Sequence, residues 1–207
     1  LSVFISSGNN HHLDGVSWPA CRTNAISVGA VYDANVGQRT FCTQKNESGV
    51  CKQYCNDFTT YPDLVTCFTN RASNLDLLAP GAIISSTSYL GIGYTLDSGT
   101  SMAAPHASGT AALMLEADPT LTPSQVESKL QTTGVNVQDM FDGCNVGVGC
   151  TNLTFKRINA SAAVSSINAC VKGEWVAGSC GGGNCTSPKR EYTRTVNPQG
   201  CADTIKC

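Results

Sequence analysis

Charge is scarce in this sequence. Asp, Glu, Lys and Arg supply 14% of its 207 residues, against roughly a quarter in ordinary soluble domains. Thirteen basic residues face fifteen acidic ones, for a formal net charge of −2, and no basic run exceeds Lys189-Arg190. That balance argues against a nucleic-acid partner, which needs a basic face to hold it. Long apolar runs are missing too. None approaches the roughly 20 residues that cross a bilayer, so no membrane span is expected. The opening residues Leu1-Ser2-Val3-Phe4-Ile5 show neither a basic leader nor a cleavage signature, and they read as a buried strand already under way. A processed fragment, or part of something longer, is the expectation.

Cysteine, by contrast, is abundant. The twelve stand at 21, 42, 51, 55, 67, 144, 150, 170, 180, 185, 201 and 207. An even, dense set without His-rich zinc spacing points to disulfides and an oxidising, extracellular compartment. Cys51-x3-Cys55 has no second tight pair to complete a zinc site, so no metal is assigned. Proximity makes Cys144–Cys150 and Cys42–Cys67 reasonable pairs, although spacing does not fix connectivity. Asn-x-Ser/Thr triplets at Asn46, Asn152, Asn159 and Asn184 are acceptors in a glycosylating pathway, and such triplets also arise by chance.

With 41% apolar residues the chain can bury a core. Ser2–Ser6 and Ala25–Tyr32 read as buried strands, separated by a polar loop from Gly8 to Asn24. Residues 34–74 carry four cysteines and little periodicity, and read as a disulfide-pinned surface insertion. Leu75–Gly81 is a strand ending in a turn, followed by a short strand at Ile83–Ser86. Met102–Glu116, rich in Ala, Leu and Met, is a buried helix with Pro105 in its tolerant first turn. Thr122-Pro123-Ser124-Gln125 combines a cap residue, a first-turn proline and a capping-box glutamine, starting a helix that stops before Gly134. Strands alternating with buried helices indicate an α/β sheet covered on both faces. Composition shifts past Cys170 to Gly, Cys, Arg and Thr, which sets a boundary near 171–173.

The segment that carries chemistry is Gly99-Thr100-Ser101-Met102-Ala103-Ala104-Pro105-His106. It puts a serine among small residues at the start of a buried helix. Unpaired amides and partial positive charge at that helix end favour an oxyanion beside the hydroxyl. Taken alone, the pattern equally fits Ser101 as a helix N-cap.

This segment resembles the serine signature of the subtilisin family of proteases, and the match is long. Ser7-Gly8-Asn9 after a buried strand resembles the family's oxyanion-asparagine segment. Ile26–Ala30, Leu77–Gly81 and Lys156–Ala160 resemble later segments in the family's order, so the resemblance covers Leu1 to about Ala169. Ser7-Gly8-Asn9-Asn10 is nearer the proteinase K branch than many bacterial subtilisins. The resemblance implies an α/β fold, the C-terminal part of a mostly parallel sheet with helices on both faces, over residues 1–170. Residues 38–67 would be a Cys-rich insertion, and residues 171–207 a small disulfide-rich β tail.

Carried onto this sequence, the resemblance implies Ser101 as the nucleophile that forms an acyl-enzyme. Asn9 would donate its side-chain amide to the oxyanion, with the Ser101 N–H. Ser6, Ser7 and Gly8 would floor the pocket for the side chain preceding the cleaved bond, and their lack of charge suggests uncharged or apolar substrate residues. Pro105 and His106 would be structural. Calcium is common in the family, yet no matching ligand loop is found, so no cofactor is assigned.

The activating partners are missing. In the family Asp, His and Ser follow in that order, and the first two would lie upstream of Leu1. His11-His12 lack the His-Gly-Thr setting of the general base. Asp97-Ser98-Gly99 mimics the family's Asp-Ser/Thr-Gly triplet, but four residues before Ser101 it could not reach the far side of an imidazole touching that serine. A lone such triplet also cannot make an aspartic-protease pair. The chain by itself is therefore expected to be inert, with polypeptides as substrates and the upstream part of the same protease as partner. That part would be held through a shared central sheet or a disulfide from Cys21.

The tail resembles a thrombospondin type-1 repeat, on Trp175, Cys180-Gly181-Gly182-Gly183-Asn184-Cys185, Lys189–Val196, Cys201 and Cys207. In that family Trp and Arg side chains stack in layers between disulfides; an unrelated cystine-stapled tail fits equally well. Two rivals to a secreted serine endopeptidase share these residues. One is an inactive extracellular scaffold or adhesion protein derived from a subtilase; the other is a transpeptidase on the same scaffold. Retention of both Ser101 and Asn9 in an undamaged signature favours the endopeptidase over the scaffold.

Overall fold

A computed structural model describes residues 1–88, 91, 93–140, 144, 147, 149–168, 176–177, 191–194 and 203–206. In chain order come β1 (Phe4–Ser6), β2 (Ile26–Val31), β3 (Arg39–Lys45), β4 (Cys51–Asp57), β5 (Leu77–Pro80), β6 (Ile84–Thr87) and β7 (Tyr94–Asp97). Then follow α1 (Thr100–Ala117), α2 (Pro123–Thr133), β8 (Val135–Gln138), β9 (Thr154–Arg157) and α3 (Ala160–Asn168). The main sheet has the order β1-β2-β5-β9-β8, parallel except for β8 at one edge. This is the expected α/β fold with a mostly parallel sheet.

All six residues of β2 are buried, as a parallel strand covered on both faces requires. Alternation sorts them. Ile26, Val28 and Ala30 join Leu77 and Ala79 in the core under the helices, while Val31 joins Leu78, Val65, Leu75, Val137 and Phe155 on the other face. α1 offers Ala103, Ala107, Ala111 and Met114 at helical spacing, all 3% exposed or less. Those small side chains let the helix lie close to β2 and β5. α2 begins as anticipated, with Thr122 and Gln125 forming a capping box and Pro123 in the first turn. α2 and α3 share the α1 core, so the described helices pack together on one face, where helices on both faces were expected.

Residues 64–72 are buried as well, with Val65 in the other-face cluster and Cys67 and Phe68 in the helix-side one, and here the sequence reading needs correction. Leu64 through Ala72 are all 9% exposed or less, a core segment where a surface insertion was expected. Its polar composition misled because the polar groups are satisfied inside. Thr66 N–H and the Thr66 and Thr69 hydroxyls all donate to the Ala30 carbonyl. Arg71 donates Nε to Asp139 at 2.7 Å, Nη1 to the Thr69 carbonyl and Nη2 to the Gly149 carbonyl. A buried charge with this many partners is tolerated where a bare one is not.

Only residues before this segment form the exposed insertion, the antiparallel β3–β4 hairpin. Its disulfides correct the expected Cys42–Cys67 pairing: Cys42 bonds Cys51 and Cys55 bonds Cys67, while Cys144–Cys150 forms as expected. Hairpin closure brings Cys42 within 5.8 Å of Cys51, Cα to Cα. Cys55 falls on the inward side of β4 and so meets the buried Cys67. Sequence distance could not reveal a register set by pairing. Cys21 is exposed with a free thiol.

β6 and β7 form a separate exposed hairpin. Three short strands, β10 (Val176–Ala177), β11 (Glu191–Arg194) and β12 (Asp203–Lys206), pair antiparallel in that order. Trp175 and the cysteines from Cys170 onward, which carry the thrombospondin resemblance, lie outside the described residues, as does Asn184. No helix among the described residues is long and apolar enough to cross a membrane.

Two buried carboxylates give tests of this packing. Asp139→Ala would strand the Arg71 guanidinium, and about 3–5 kcal/mol of stability should be lost, read as a shift in the denaturant midpoint; a loss under about 1 kcal/mol contradicts the role given to this pair. Asp57 is 5% exposed and accepts from Tyr32 Oη at 2.8 Å and from Cys67 N–H at 3.1 Å. Burial raises its pKa above 3.8, opposed by those two bonds and by Arg71 and His11. The folded state thus holds this proton more tightly than the unfolded chain, and stability declines as pH rises through the raised value. Asp57→Asn keeps an oxygen for both donors and removes the titration. The variant should lack that decline when denaturant midpoints are followed from neutral pH down towards pH 4, the ordinary carboxylate range, and an unchanged slope would count against it.

Candidate active site

Two glycines bring the start of α1 against the sheet. A β-carbon on Gly81 would lie 2.6 Å from Ala30 Cβ and 2.8 Å from the Gly99 carbonyl, so the chain can fold this tightly only without one. Gly99 N–H donates to the Gly81 carbonyl at 2.7 Å. Gly99 is itself the N-cap of α1, with no side-chain capping bond. Ser101 is therefore the second residue of the helix, exposed, and the N-cap alternative does not hold.

Asn9 meets this helix end from the loop after β1. Its Oδ1 accepts from the Thr100 N–H and from Thr100 Oγ1, both at 2.9 Å. Thr100 Oγ1 in turn accepts from Gly8 N–H at 3.2 Å. With the oxygen held twice, the amide's orientation is fixed and Nδ2 faces the other way. A β-carbon on Gly99 would sit 3.2 Å from Asn9 Nδ2 and 3.7 Å from Ser101 N. The two donors thus flank one small space, kept open because Gly99 has no side chain. Thr100 N–H is committed to Asn9 and Met102 N–H to the Gly99 carbonyl. Ser101 N–H has no hydrogen-bond acceptor among the described residues. Two N–H donors beside an exposed hydroxyl are what an acyl-transfer oxyanion requires.

Ser101 also lines a cavity of about 310 Å³, together with Ile84, Ser85, Ser86, Met102, Pro105 and His106. His106 bonds the Met102 carbonyl through Nδ1 at 2.8 Å, in keeping with a structural role. Of the three residues expected to floor a substrate pocket, Ser6 and Gly8 are half-buried but Ser7 is fully buried. Its hydroxyl points into the core with no hydrogen-bond partner among the described residues, so only Ser6 and Gly8 have side-chain or backbone surface to offer. Ser7 follows the last residue of β1, so no strand alternation marked it as the buried one of the three. His11 is tied by its ring Nδ1 to the Cys67 carbonyl. Asp97 accepts from its own neighbour, Ser98 N–H.

Thr100 and Asn70 escaped the sequence reading. Thr100 sits in the signature itself, where a hydroxyl beside the nucleophile was the available signal. Asn70 looked like one more polar residue of an insertion, yet it is fully buried and bonds Asn10, His12 and Ser17.

A family model, that of the Subtilase family (Peptidase S8), matches residues 1–172. The chain belongs to the subtilase family. Subtilisin DY of Bacillus licheniformis is 34% identical over 136 residues, 66% of this chain and 39% of that protein. Alkaline serine exoprotease A of Vibrio alginolyticus is 49% identical over 127 residues, 61% of this chain and 23% of that protein. The crystal structure of a cold-adapted subtilisin-like serine proteinase superposes with a TM-score of 0.51 at 27% identity, covering 74% of this chain and 44% of that one. The chain thus spans well under half the length of these subtilases.

Thr100→Val keeps the backbone bond to Asn9 and deletes the hydroxyl one. Losing a bond of about 0.5–1.5 kcal/mol should lower kcat by about 2- to 10-fold with KM little changed, measured on the full-length subtilase. Equal kcat in variant and wild type would mean that Asn9 does not depend on the Thr100 hydroxyl.

Proposed function

We propose that this chain is the nucleophile-bearing part of a secreted serine endopeptidase, with the catalytic Asp and His supplied by an upstream segment or associated chain. The supporting observation is the shared space between Asn9 Nδ2 and Ser101 N–H beside an exposed Ser101 hydroxyl. In the reaction, Ser101 Oγ adds to the scissile carbonyl carbon while the histidine takes its proton. The carbonyl oxygen becomes an anion between the two donors; loss of such a donor costs about 10²–10³ in turnover. Collapse of the adduct breaks the C–N bond, and the histidine hands its proton to the departing amine. Water, deprotonated by the same histidine, then releases the acyl group from Ser101.

Several features support the partner and the compartment. β1 is at the edge of the main sheet, where a further strand can add. Leu113, on the apolar α1, is 50% exposed and offers surface to an added segment; Cys21 offers a covalent tie. Three disulfides among the described residues fit an oxidising compartment. Uncharged Ser6 and Gly8 fit uncharged or apolar side chains before the cleaved bond, in polypeptide substrates. The peptidase part is taken as residues 1–170 and the tail as a separate small module.

A fluorophosphonate probe applied to the intact protease tests this. The expected result is a covalent adduct mapped to Ser101 by peptide mass spectrometry and absent from Ser101→Ala. A folded, full-length protein that takes no label would overturn the proposal in favour of an inactive scaffold.

A further inference from the structure

We propose that the cystine-stapled β3–β4 hairpin positions the oxyanion donor, holding Asn9 in place through Asn10 and His11. The inference rests on the role proposed above for Asn9 and extends it to residues outside the signature. Thr100 grips Asn9 from the helix side only. The loop that bears Asn9 must be held from its other side as well, because a donor displaced by about 1 Å can cost 10²-fold in rate.

Two backbone carbonyls provide that second hold. Asn10 Nδ2 donates to the Thr43 carbonyl at 3.1 Å, and His11 Nδ1 bonds the Cys67 carbonyl. Both anchors are fixed by disulfides. Cys67 is bonded to Cys55 at the end of β4. Thr43 directly follows Cys42, which is bonded to Cys51 across the hairpin.

Thr43 also occupies an irregularity in the ladder. Cys42 pairs with Tyr54 and Gln44 with Gln53, leaving Thr43 between them without an opposite residue. Such a bulge turns one residue out of the pairing pattern and re-aims it. Here the freed carbonyl is used by Asn10, while Thr43 Oγ1 bonds the Gln53 carbonyl on the partner strand at 3.2 Å. Thr43 is 3% exposed, so the acceptor side of its bond to Asn10 is buried, while Asn10 itself is exposed.

His11 adds a sign of constraint. It holds φ +61, a left-handed conformation that a non-glycine residue keeps only when its surroundings impose it. Those surroundings are the core segment: His11 N–H donates to the Phe68 carbonyl, and Asn70 Oδ1 accepts from Asn10 N–H at 2.8 Å and His12 N–H at 3.0 Å. Asn70 Nδ2 reaches Asn10 Oδ1 at 3.4 Å. Asn9 therefore stands between a helix start on one side and a cross-linked frame on the other.

A double-mutant cycle in the full-length protease separates positioning from general support. Asn10→Ala removes the tie to Thr43 and leaves both disulfides. In the wild-type background it should lower kcat about 10-fold, with KM within about 2-fold, by misplacing the donor. In an Asn9→Ala background, where no donor remains to be placed, the same change should leave kcat within about 2-fold. A second cycle with Cys42→Ser/Cys51→Ser, which loosens Thr43 without touching the loop, should show a smaller loss with the same dependence on Asn9, and it decides the matter if Asn10→Ala does not fold. Losses of equal size in both backgrounds, or no loss in either, overturn the positioning role while the role of Asn9 stands. If Asn9→Ala itself leaves kcat unchanged, the reading of Asn9 falls and this inference falls with it.

Discussion

Asn9 and Thr100 lie 91 positions apart in the chain, and a single carboxamide oxygen joins them by accepting two hydrogen bonds. Much of the site's arrangement follows from that junction. It fixes which end of the Asn9 amide is turned to Thr100, and it uses up the first amide of α1. A hydrogen bond spanning so many residues is useful only if both ends are rigid. β1 and α1 supply the rigidity: one is paired in the sheet, the other is pressed against it by a stripe of alanines.

The sheet in turn depends on burying polar groups without leaving them unpaired. Residues 64–72 form one wall of the core although four of them are Thr66, Thr69, Asn70 and Arg71, each fully buried. Thr66 and Thr69 share the Ala30 carbonyl of β2, and Arg71 is answered by Asp139 and two carbonyls. Asn70 turns the opposite way and serves the Asn9 loop. The same short segment thus closes the core with one set of side chains and shapes the site with another. A cluster of this kind is worth little unless complete, because each missing partner leaves a buried group unsatisfied.

The cysteine-rich insertion is bound into this arrangement. Its disulfides lie beside the two carbonyls that hold Asn10 and His11, so the cross-links reach the functional loop as well as the hairpin. The bond from Tyr32 Oη to the buried Asp57 joins the end of β4 to the residue after β2 by a third route.

By itself the sequence was enough to determine the local elements and the family resemblance. The 3.6-residue spacing of Ala103, Ala107 and Ala111, the Thr122–Gln125 cap, the Ile26, Val28 and Val31 of β2 with small residues between them and the segment Gly99–His106 all carry their meaning within a few residues, where dihedral preference and periodicity act. Tertiary structure alone decided the rest. Cys42 met Cys51 rather than Cys67 because the β3–β4 hairpin folded their strands together. Residues 64–72 went inside because distant carbonyls and Asp139 were there to satisfy them. Ser7 turned into the core, and Thr100 took hold of Asn9, because two segments far apart in the chain were brought into contact. Such outcomes depend on which groups meet, and no local preference encodes a meeting between residues scores of positions apart.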